Sequence, residues 1–536
     1  MMRDLHEVAA EWIAHDPDPV TRQELESLDD AELAHRFAGP LTFGTAGLRG
    51  EIGGGESLMN IATVTRATSG LGHWLSQRVP NPHVVIGCDA RHRSADFQQA
   101  AAEVLSAAGV RVTVLPPAHP TPLTSFAVRY LGCDAGIMVT ASHNPAKDNG
   151  YKVYLGGRVV DHDFQAGVQL ISPADKEISE AIAGAPFADQ IARTTELIEY
   201  AGDEVKEAYL ECAAELVDHG DKGLPIVMTA MHGVGGAMLA EALRRAGFTN
   251  VTPVAEQQEP DPDFPTVAFP NPEEDGALDL AIATAERVGA ELILALDPDA
   301  DRCSVAIKED GEWNQLSGDQ VGGLLGEDAA ARAEAAGIAD AVLATSVVSS
   351  QLLAQIAKRR GLGFAQTLTG FKWIGRTPEL FFGFEEALGY CTDPAHVRDK
   401  DGITACLRVA SLAAQRSVSE RLRDIGATYG YFVTVPLTLR KDDISEAVAA
   451  LEKFVAAPPE TMGGSPVVEF SDLGAGYHGL PPTPGRLLRT EDGARIVVRP
   501  SGTEPKLKCY LEVVGDTYAA AQQRVEALKA ELAGYF

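Results

Sequence analysis

The sequence lacks the features of a secreted, membrane or nucleic-acid-binding protein. Its seven cysteines are scattered and contain no C-x-x-C pair, which excludes a disulfide framework and a zinc ribbon. No run approaches the ~20 apolar residues of a membrane span, and the N-terminal residues MMRDLHE carry acids where a signal peptide needs an apolar stretch. Basic residues are few: 45 Lys and Arg against 76 Asp and Glu give a net charge of -31, which would repel a phosphate backbone. We therefore expect a cytoplasmic protein that binds neither nucleic acid nor membrane.

The composition is that of an ordinary globular chain. Hydrophobic residues make up 45% and charged residues 23% of the 536 positions. At roughly 150 residues per domain, this length predicts three to four domains. Because the overall charge is so acidic, any anionic ligand must be held by locally basic loops.

Hydrophobic patterning predicts the domain order. Residues 1–40 are predicted to form a helical appendage that breaks at DPDP, residues 16–19. Over 41–202, aliphatic and β-branched runs alternate with Ala-rich helical stretches, which predicts βαβ units and a largely parallel sheet. The alternation recurs over 203–316 and 317–428, whereas strands and helices over 429–536 predict an antiparallel sheet covered by helices. The fold class is therefore three α/β domains followed by one α+β domain.

The segment 136–150 contains a candidate nucleophile. A buried apolar run ends in TASHNP, residues 140–145, which places the Ser142 hydroxyl and the His143 imidazole on one loop, with Lys152 ten residues beyond the serine. Ser142 could be a nucleophile or a phosphoryl carrier. The alternative is an ordinary turn whose Ser and Asn side chains only satisfy backbone groups.

The segment 297–302, DPDADR, contains a candidate metal site at the end of the apolar run 292–296. The carboxyl ends of strands in open α/β sheets are where ligands bind. Asp297, Asp299 and Asp301 offer the oxygen ligands preferred by Mg²⁺ or Ca²⁺, and three acids on one loop repel one another without a cation. An EF-hand is excluded, because Arg302 and Lys308 stand where that motif needs Gly and Glu.

Two further loops carry polar groups that could bind a ligand. Glu385 and Glu386 in GFEEALGY, residues 383–390, could accept hydrogen bonds from sugar hydroxyls, although paired glutamates are also common at helix N-termini. The loop RPSGTEPKLK, residues 499–508, combines Arg, hydroxyls and glycine backbone in a way that favours anion binding.

Two other motifs are interpreted as structural. GAGYHG, residues 474–479, matches the dinucleotide-binding pattern, but LPPTP follows where that fingerprint needs a helix, which predicts a loop. DARHRS, residues 89–94, is interpreted as a strand-to-helix turn with Ser94 as the N-cap.

The four loops, in this order and spacing, resemble the phosphoserine, metal, sugar-recognition and phosphate-binding loops of the α-D-phosphohexomutases, the phosphoglucomutase/phosphomannomutase superfamily. FGTAGLRG, residues 43–50, and TGFK, residues 369–372, resemble two further family loops. The resemblance implies three similar α/β domains with mixed, largely parallel sheets, a C-terminal α+β domain and one shared cleft. Ala387 stands where many sugar loops have a serine. This form of the loop resembles the branch of the superfamily that also contains phosphopentomutases.

The resemblance also assigns roles to individual residues. Candidate catalytic residues are Ser142, His143, Lys152 and Arg49, and candidate metal ligands are Ser142, Asp297, Asp299 and Asp301. Candidate substrate-binding residues are Arg302, Thr369, Gly370, Lys372, Glu385, Glu386, Arg499, Ser501, Gly502 and Thr503. The implied cofactors are Mg²⁺ and a sugar 1,6-bisphosphate activator, and we expect a phosphosugar substrate and a monomer or homodimer.

These roles predict an isomerase that interconverts 1-phospho and 6-phospho hexoses, glucose or mannose, through phospho-Ser142 and a bisphosphate. Charge counting agrees: one Mg²⁺ beside three aspartates and a phosphoserine of about -2 leaves about -3, so further cations such as Arg302, Lys152 and Arg49 are required. The alternatives on the same chemistry are a phosphopentomutase or a sugar-1,6-bisphosphate synthase. An inactive phosphosugar-binding protein and a metal-dependent phosphatase are alternatives from other classes.

Overall fold

The computed structural model describes residues 4–44, 47–501 and 505–536. The described chain divides into two compact units. The first extends to Leu316 and includes Gly389–Gln415, and the second comprises Ser317–Leu388 and Arg416–Phe536. Among the described residues, no helix combines the length and the apolar character needed to cross a membrane.

The first unit begins with three short helices that pack on one another. They span Leu5–His15, Pro19–Glu26 and Asp30–Arg36, and an aspartate side chain caps the N-terminus of each helix. The predicted break at DPDP is confirmed, because Asp18 and Pro19 start the second helix. Asp18 Oδ2 accepts a hydrogen bond from Arg93 Nη2 at 2.7 Å, and Glu24 Oε2 accepts one from the Gly54 N–H at 2.9 Å. These contacts attach the appendage to the sheet that follows.

A seven-stranded mixed sheet follows the appendage. The central strand His83–Cys88 pairs in parallel with Arg111–Val114 and Ala135–Val139, and Asp148–Leu155 runs antiparallel to Ala135–Val139. The remaining strands are Leu48–Glu51, Val168–Gln169 and Ile198–Tyr200. The helices of this region are Ile61–Ser76, Ser94–Ala107, Thr121–Tyr130, Ala174–Ala183 and Glu204–Glu215. Every residue of Ala135–Val139 is buried, as expected for a parallel strand covered on both faces.

A second sheet completes the first unit. Three parallel strands, Ile226–Thr229, Val251–Pro253 and Leu292–Leu296, are extended by the antiparallel hairpin of Cys303–Glu309 and Glu312–Gln315. Asp310 and Gly311 form the turn of this hairpin, and both adopt positive φ, at 51° and 88°. The helices of this part are Gly236–Arg245, Asp279–Val288 and Gly402–Gln415, and Gly389–Cys391 is a further short strand.

The second unit contains a parallel sheet and an antiparallel sheet. Val342–Ser346 pairs in parallel with Gly363–Thr367 and Leu380–Glu385. The antiparallel strands, in spatial order, are Tyr431–Arg440, Lys506–Gly515, Arg495–Pro500, Arg486–Thr490, Ser465–Asp472 and Thr461–Met462. The helices are Gly318–Ala335, Leu352–Arg360, Phe371–Ile374, Val418–Tyr429, Ile444–Ala456 and Tyr518–Ala533. The predicted fold class, α/β sheets followed by an α+β region, is confirmed.

The two motifs interpreted as structural have different outcomes. GAGYHG lies in a loop, and no α-helix occurs over residues 476–485, all of which are described. The prediction that Ser94 is an N-cap is wrong. The helix already includes Ser94, the N-cap position belongs to Arg93 at φ 65°, and the Ser94 hydroxyl donates to Asp89 Oδ1 at 2.6 Å. The same hydroxyl accepts a hydrogen bond from Asn149 Nδ2 at 2.9 Å and none from the N–H groups of its own helix, every residue of which is described.

A buried acid at the start of helix Gly318–Ala335 makes stability depend on pH. Asp319 accepts hydrogen bonds from the Ser350 N–H and the Thr434 hydroxyl, both at 2.7 Å, yet burial raises the pKa of Asp319 to about 6. The pKa of Asp319 is higher in the folded protein than in the unfolded chain. The stabilising contribution of protonated Asp319 to folding is therefore fully present below about pH 4 and is lost as pH rises through about 6.

Asp319→Asn should therefore gain stability relative to the wild type between pH 4 and pH 7, by roughly 3 kcal/mol for a shift of about two pKa units. The check is the free energy of urea-induced unfolding of both proteins across this pH range. Asp516→Asn serves as an exposed control. A constant difference between wild type and Asp319→Asn at every pH would contradict the prediction.

Candidate active site

Ser142 lies in the loop that follows the buried strand Ala135–Val139. It is 4% exposed and adopts the left-handed conformation, with φ at 54°. Its N–H donates to Thr140 Oγ1 at 2.9 Å, its hydroxyl donates to Asp297 Oδ2 at 3.0 Å, and His143 Nδ1 lies 3.2 Å from its Oγ. A non-glycine residue in this backbone region is strained, and such strain is found where a side chain must be aimed at a particular point.

The three aspartates follow the buried strand Leu292–Leu296. Asp297, Asp299 and Asp301 have no exposed surface, and one carboxylate oxygen from each lies within 4.8 Å of the others. Ala300 adopts φ 57°, which bends the chain between the second and third acids. Oδ1 of Asp299 and Oδ1 of Asp301 are buried and have no hydrogen-bond partner among the described residues.

This donor set fits a metal ion. Buried oxygens without donors are costly, and hard divalent cations prefer carboxylate oxygens in this number. Burial, followed by the charges of Asp299 and Asp301, raises the pKa of Asp297 well above its ordinary value. A cation among the three acids would remove this repulsion. The cluster could therefore hold a divalent metal ion, with Ser142 beside it.

Cationic side chains surround the acids. Lys152 Nζ lies 2.8 Å from Asp299 Oδ2 and 3.0 Å from Asp301 Oδ2, and Lys400 Nζ lies 3.1 Å from Asp301 Oδ2. Arg302 donates its N–H to Asp297 Oδ1 at 3.0 Å, and its Nε is 3.8 Å from Asp297 and from Asp301. Burial alone would lower the pKa of Lys152, but the charges of Asp299 and Asp301 raise it.

His143 is half-buried and Arg49 is exposed, and both belong to the first unit. Burial lowers the pKa of His143 well below its ordinary value, and the cationic Arg302 and Arg49 lower it further. Arg49 donates to Asn144 Oδ1 at 3.2 Å from the strand Leu48–Glu51, which pairs with the strand that carries Lys152. The first unit thus brings together every predicted catalytic and metal-binding residue, together with Arg302.

The second unit positions the predicted sugar and phosphate residues. Glu385 ends the strand Leu380–Glu385. Glu386 Oε2 accepts hydrogen bonds from the hydroxyls of Ser349 at 2.8 Å and Ser346 at 3.2 Å, and burial raises the pKa of Glu386. The carboxylate of Glu386 is therefore held in place by two serines of its own unit.

The predicted phosphate loop contacts a second predicted loop. Arg499 donates from Nη1 to the Thr369 hydroxyl. Gly370 adopts φ 104° and precedes the short helix Phe371–Ile374, which carries Lys372. The Ser501 N–H donates to the Lys506 carbonyl at 2.8 Å. Gly502 and Thr503 lie outside the described residues, as do Thr45 and Ala46 of the segment 43–50.

Comparison with known protein families gives matches along most of the chain. Phosphoglucomutase/phosphomannomutase alpha/beta/alpha domains I, II and III match residues 40–186, 207–311 and 317–429, and the C-terminal domain of the same family matches residues 485–530. The chain belongs to the phosphoglucomutase/phosphomannomutase family. The resemblance inferred from the four loops is confirmed, and the protein is an enzyme, a phosphosugar mutase by class.

Individual members of the phosphoglucomutase/phosphomannomutase family extend the comparison. The chain is 41% identical to "Probable phosphomannomutase" of Haemophilus influenzae, over 85% of this chain and 93% of that protein. It is 34% identical to "Phosphopentomutase" of Mus musculus, over 95% of this chain and 90% of that protein. A crystal structure of a phosphoglucomutase/phosphomannomutase family protein from Burkholderia thailandensis superimposes with a TM-score of 0.70 at 20% identity, covering 92% of this chain and 97% of that one. That structure supports the fold.

Sequence reasoning missed Lys400 and Thr121 in this phosphoglucomutase/phosphomannomutase family site. Thr121 donates its hydroxyl to Asp299 Oδ2 at 2.6 Å. Lys400 lies in the buried segment RDKDG, residues 398–402, whose flanking acids accept hydrogen bonds from tyrosines: Asp399 from Tyr154 at 2.9 Å and Asp401 from Tyr209 at 2.8 Å. Alternating charges directly before the apolar helix Gly402–Gln415 were the available signal.

Proposed function

We propose that the protein interconverts 1-phospho and 6-phospho hexoses, glucose or mannose, through a phosphoserine at Ser142 and a sugar bisphosphate. The observation that carries this proposal is the position of the Ser142 hydroxyl, 3.0 Å from Asp297 Oδ2 at the edge of a buried cluster of three carboxylates. A hydroxyl beside a cation-binding cluster is suited to carrying a phosphoryl group.

Asp297, Asp299 and Asp301, with phospho-Ser142, would hold Mg²⁺. When bound, this ion stabilises negative charge on the oxygens of the transferred phosphoryl group. Three aspartates and a phosphoserine of about -2 exceed the charge of one Mg²⁺ by about three. Lys152, Lys400 and Arg302 each lie within 4 Å of a carboxylate of the cluster and supply the missing positive charge.

The chemical steps follow from these positions. A sugar hydroxyl oxygen bonds to the phosphorus of phospho-Ser142 as the bond to Ser142 Oγ breaks, and His143, whose lowered pKa keeps the imidazole neutral, takes the hydroxyl proton. The bisphosphate then presents its other phosphoryl group, which returns to Ser142 Oγ while a proton is given back to the sugar oxygen. Since the cycle begins with a phosphorylated serine, we infer that a sugar 1,6-bisphosphate serves as the activator.

Substrate binding is assigned to the loops of the second unit. Arg499, Thr369, Lys372 and Ser501, with Gly370, Gly502 and Thr503, would hold the phosphate that is not being transferred. Glu385 and Glu386 would accept hydrogen bonds from sugar hydroxyls. Ser346 and Ser349 donate to Glu386, which supports a role for Glu386 in fixing the shape of the loop, and Glu385 is assigned the discrimination between sugars.

The second candidate is a phosphopentomutase. Ala387 follows the two glutamates where many sugar loops have a serine, and the identity to the mouse phosphopentomutase extends over 95% of this chain. The test is kcat/KM for glucose 1-phosphate, mannose 1-phosphate and ribose 1-phosphate. A preference for either hexose supports the first candidate, and a preference for ribose 1-phosphate supports the second. Net accumulation of bisphosphate identifies a synthase, and release of free phosphate from each sugar would contradict a mutase.

Glu385→Gln should change the ranking of sugars, because a carboxylate that accepts hydroxyl hydrogen bonds carries the discriminating contact. With charged hydrogen bonds worth about 1.5–3 kcal/mol, kcat/KM for the preferred sugar should fall roughly ten- to hundred-fold. Arg499→Ala should instead raise KM for every sugar by a similar factor, since all substrates share the phosphate. Exposed Glu491→Gln and half-buried Arg524→Ala, whose side chain pairs with Asp492, are the matched controls. An unchanged ranking in Glu385→Gln with an altered one in Arg499→Ala would reverse the two roles.

A further inference from the structure

Arg91 contacts the loop that carries Ser142 at four points. It lies in the turn between the strand His83–Cys88 and the helix Ser94–Ala107, and only 4% of it is exposed. Arg91 Nη2 donates to the carbonyls of Ser142 at 2.6 Å and Asn144 at 2.7 Å. Its Nη1 donates to the carbonyls of Pro145 at 2.8 Å and Asp148 at 3.2 Å. We propose that Arg91 is a positioning residue, whose guanidinium holds the backbone of residues 142–148 so that the Ser142 hydroxyl faces the carboxylate cluster.

Asp89 fixes the backbone of Arg91 and forms an ion pair with its guanidinium. Asp89 Oδ1 accepts hydrogen bonds from the Arg91 N–H at 3.0 Å and from the Ser94 hydroxyl at 2.6 Å, and Asp89 Oδ2 lies 3.4 Å from Arg91 Nε. The ring of Phe264 lies 5.1 Å from the guanidinium carbon. The turn also contacts the strand beyond the loop, because Asn149 Nδ2 donates to the His92 carbonyl at 2.9 Å.

The loop depends on this contact because residues 140–147 form neither helix nor strand. Their carbonyls cannot pair in a ladder, and buried carbonyls need donors. A guanidinium donates from two nitrogens in one plane, whereas a lysine ammonium donates from a single point and cannot reach four carbonyls at once. Lysine at this position would keep the charge and lose most of the hydrogen bonds.

The consequence for catalysis rests on the proposed function. Arg91 donates to backbone carbonyls of the loop, so it is expected to affect the orientation of the reacting oxygen more than the affinity for the sugar. A displacement of about 1 Å at a reacting group can lower the rate about 100-fold. Loss of the hydrogen bonds from Arg91 to this loop should therefore reduce kcat while leaving KM nearly unchanged.

The test compares Arg91→Lys with Arg93→Lys. Arg93 lies in the same turn, but its side chain pairs with Asp18 at 2.7 Å and Asp96 at 2.6 Å and makes no hydrogen bond to residues 140–148. We expect kcat of Arg91→Lys to fall about 100-fold with KM within about two-fold of the wild type, and Arg93→Lys to keep most of its rate. A rise in KM without loss of kcat, or equal losses in both variants, would overturn the proposal.

Hydrogen exchange supplies a readout that does not depend on the reaction. Amides in the peptide covering residues 140–149 should exchange faster in Arg91→Lys than in the wild type or in Arg93→Lys. Unchanged exchange rates in Arg91→Lys would contradict the proposal that Arg91 holds this loop, even if activity fell. If instead the protein has no mutase activity, the proposed function fails, and the exchange comparison still decides the structural part.

A second variant covers the case in which Arg91→Lys does not fold. Ser94→Ala removes the hydroxyl that donates to Asp89 and that accepts a hydrogen bond from Asn149 at 2.9 Å, which loosens the turn carrying Arg91. It should show the same pattern at smaller size: faster exchange at 140–149 and a lower kcat with little change in KM. Exchange and kcat that both match the wild type would overturn the proposal.

Discussion

Ser142→Ala is expected to lower mutase turnover by more than about 1,000-fold, because it removes the oxygen that carries the phosphoryl group. The substitution deletes one atom from a loop residue, and alanine tolerates the left-handed φ of 54° as well as serine does. The hydrogen bonds lost are those of the Ser142 hydroxyl with Asp297 Oδ2 and His143 Nδ1. The fold should therefore persist, with an unchanged circular dichroism spectrum.

Intact-mass and peptide analysis provide the direct check. Active wild-type protein should carry one phosphate on the peptide that contains Ser142, and Ser142→Ala should carry none. Ser27→Ala is the control, because its exposed hydroxyl donates only to the nearby Glu24 carbonyl. Full activity in Ser142→Ala would remove the phosphoserine assignment and, with it, the proposed chemistry.

Removal of divalent metal should silence the enzyme completely and reversibly. Without the metal, the three aspartates and a phosphoserine of about -2 carry about -5, of which Lys152, Lys400 and Arg302 offset three, so the site repels an incoming phosphate. Treatment with EDTA should abolish turnover, and added Mg²⁺ should restore it. Ca²⁺ should bind but support less turnover, because its looser coordination positions phosphoryl oxygens less well. If protein treated with EDTA keeps its rate, the cluster is not a catalytic metal site.

Asp299→Asn should weaken Mg²⁺ binding about ten- to hundred-fold in a calorimetric titration, since it removes one of three anionic ligands. The Oδ2 of Asp299 accepts hydrogen bonds from Lys152 and Thr121, whereas its Oδ1 has no partner among the described residues. An amide oxygen can keep the first set of contacts while the ligand charge is lost. Exposed Asp275→Asn is the matched control and should bind Mg²⁺ as the wild type does.

Local features of the site could be predicted from the sequence because they depend on short segments. A continuous apolar run predicts a buried strand, and the polar residues directly after it lie at the edge of the sheet, which located Ser142 and the aspartates. The N-cap prediction for Ser94 failed for a related reason. A capping hydroxyl accepts from the first N–H groups of its helix, but the Ser94 hydroxyl accepts from Asn149, which lies 55 residues away and comes close only in the folded protein.

Other features could not be predicted because they join distant parts of the chain. Lys400 contacts Asp301 at 3.1 Å although 98 positions separate them, and nothing in the composition of either segment indicates the pairing. Arg91 lies in the segment 89–94, whose sequence predicts only a turn. Its proposed role depends on hydrogen bonds to carbonyls that lie more than fifty residues further along the chain. Ser346 and Ser349 donate to Glu386 from the end of the strand Val342–Ser346 and the loop after it, whereas Glu386 follows the strand Leu380–Glu385.

The N-terminal helices limit where the chains of two relatives can be joined to make a chimera. The family match to domain I begins at residue 40, yet Asp18 pairs with Arg93 and Glu24 accepts the Gly54 N–H across that point. Arg93 lies two positions from Arg91 in the turn against the Ser142 loop. A chimera joined at residue 40 would combine helices and a turn whose charges were never matched to each other. The start of the family match is therefore not a neutral crossover point, and the first forty residues should be exchanged together with the segments around 54 and 93.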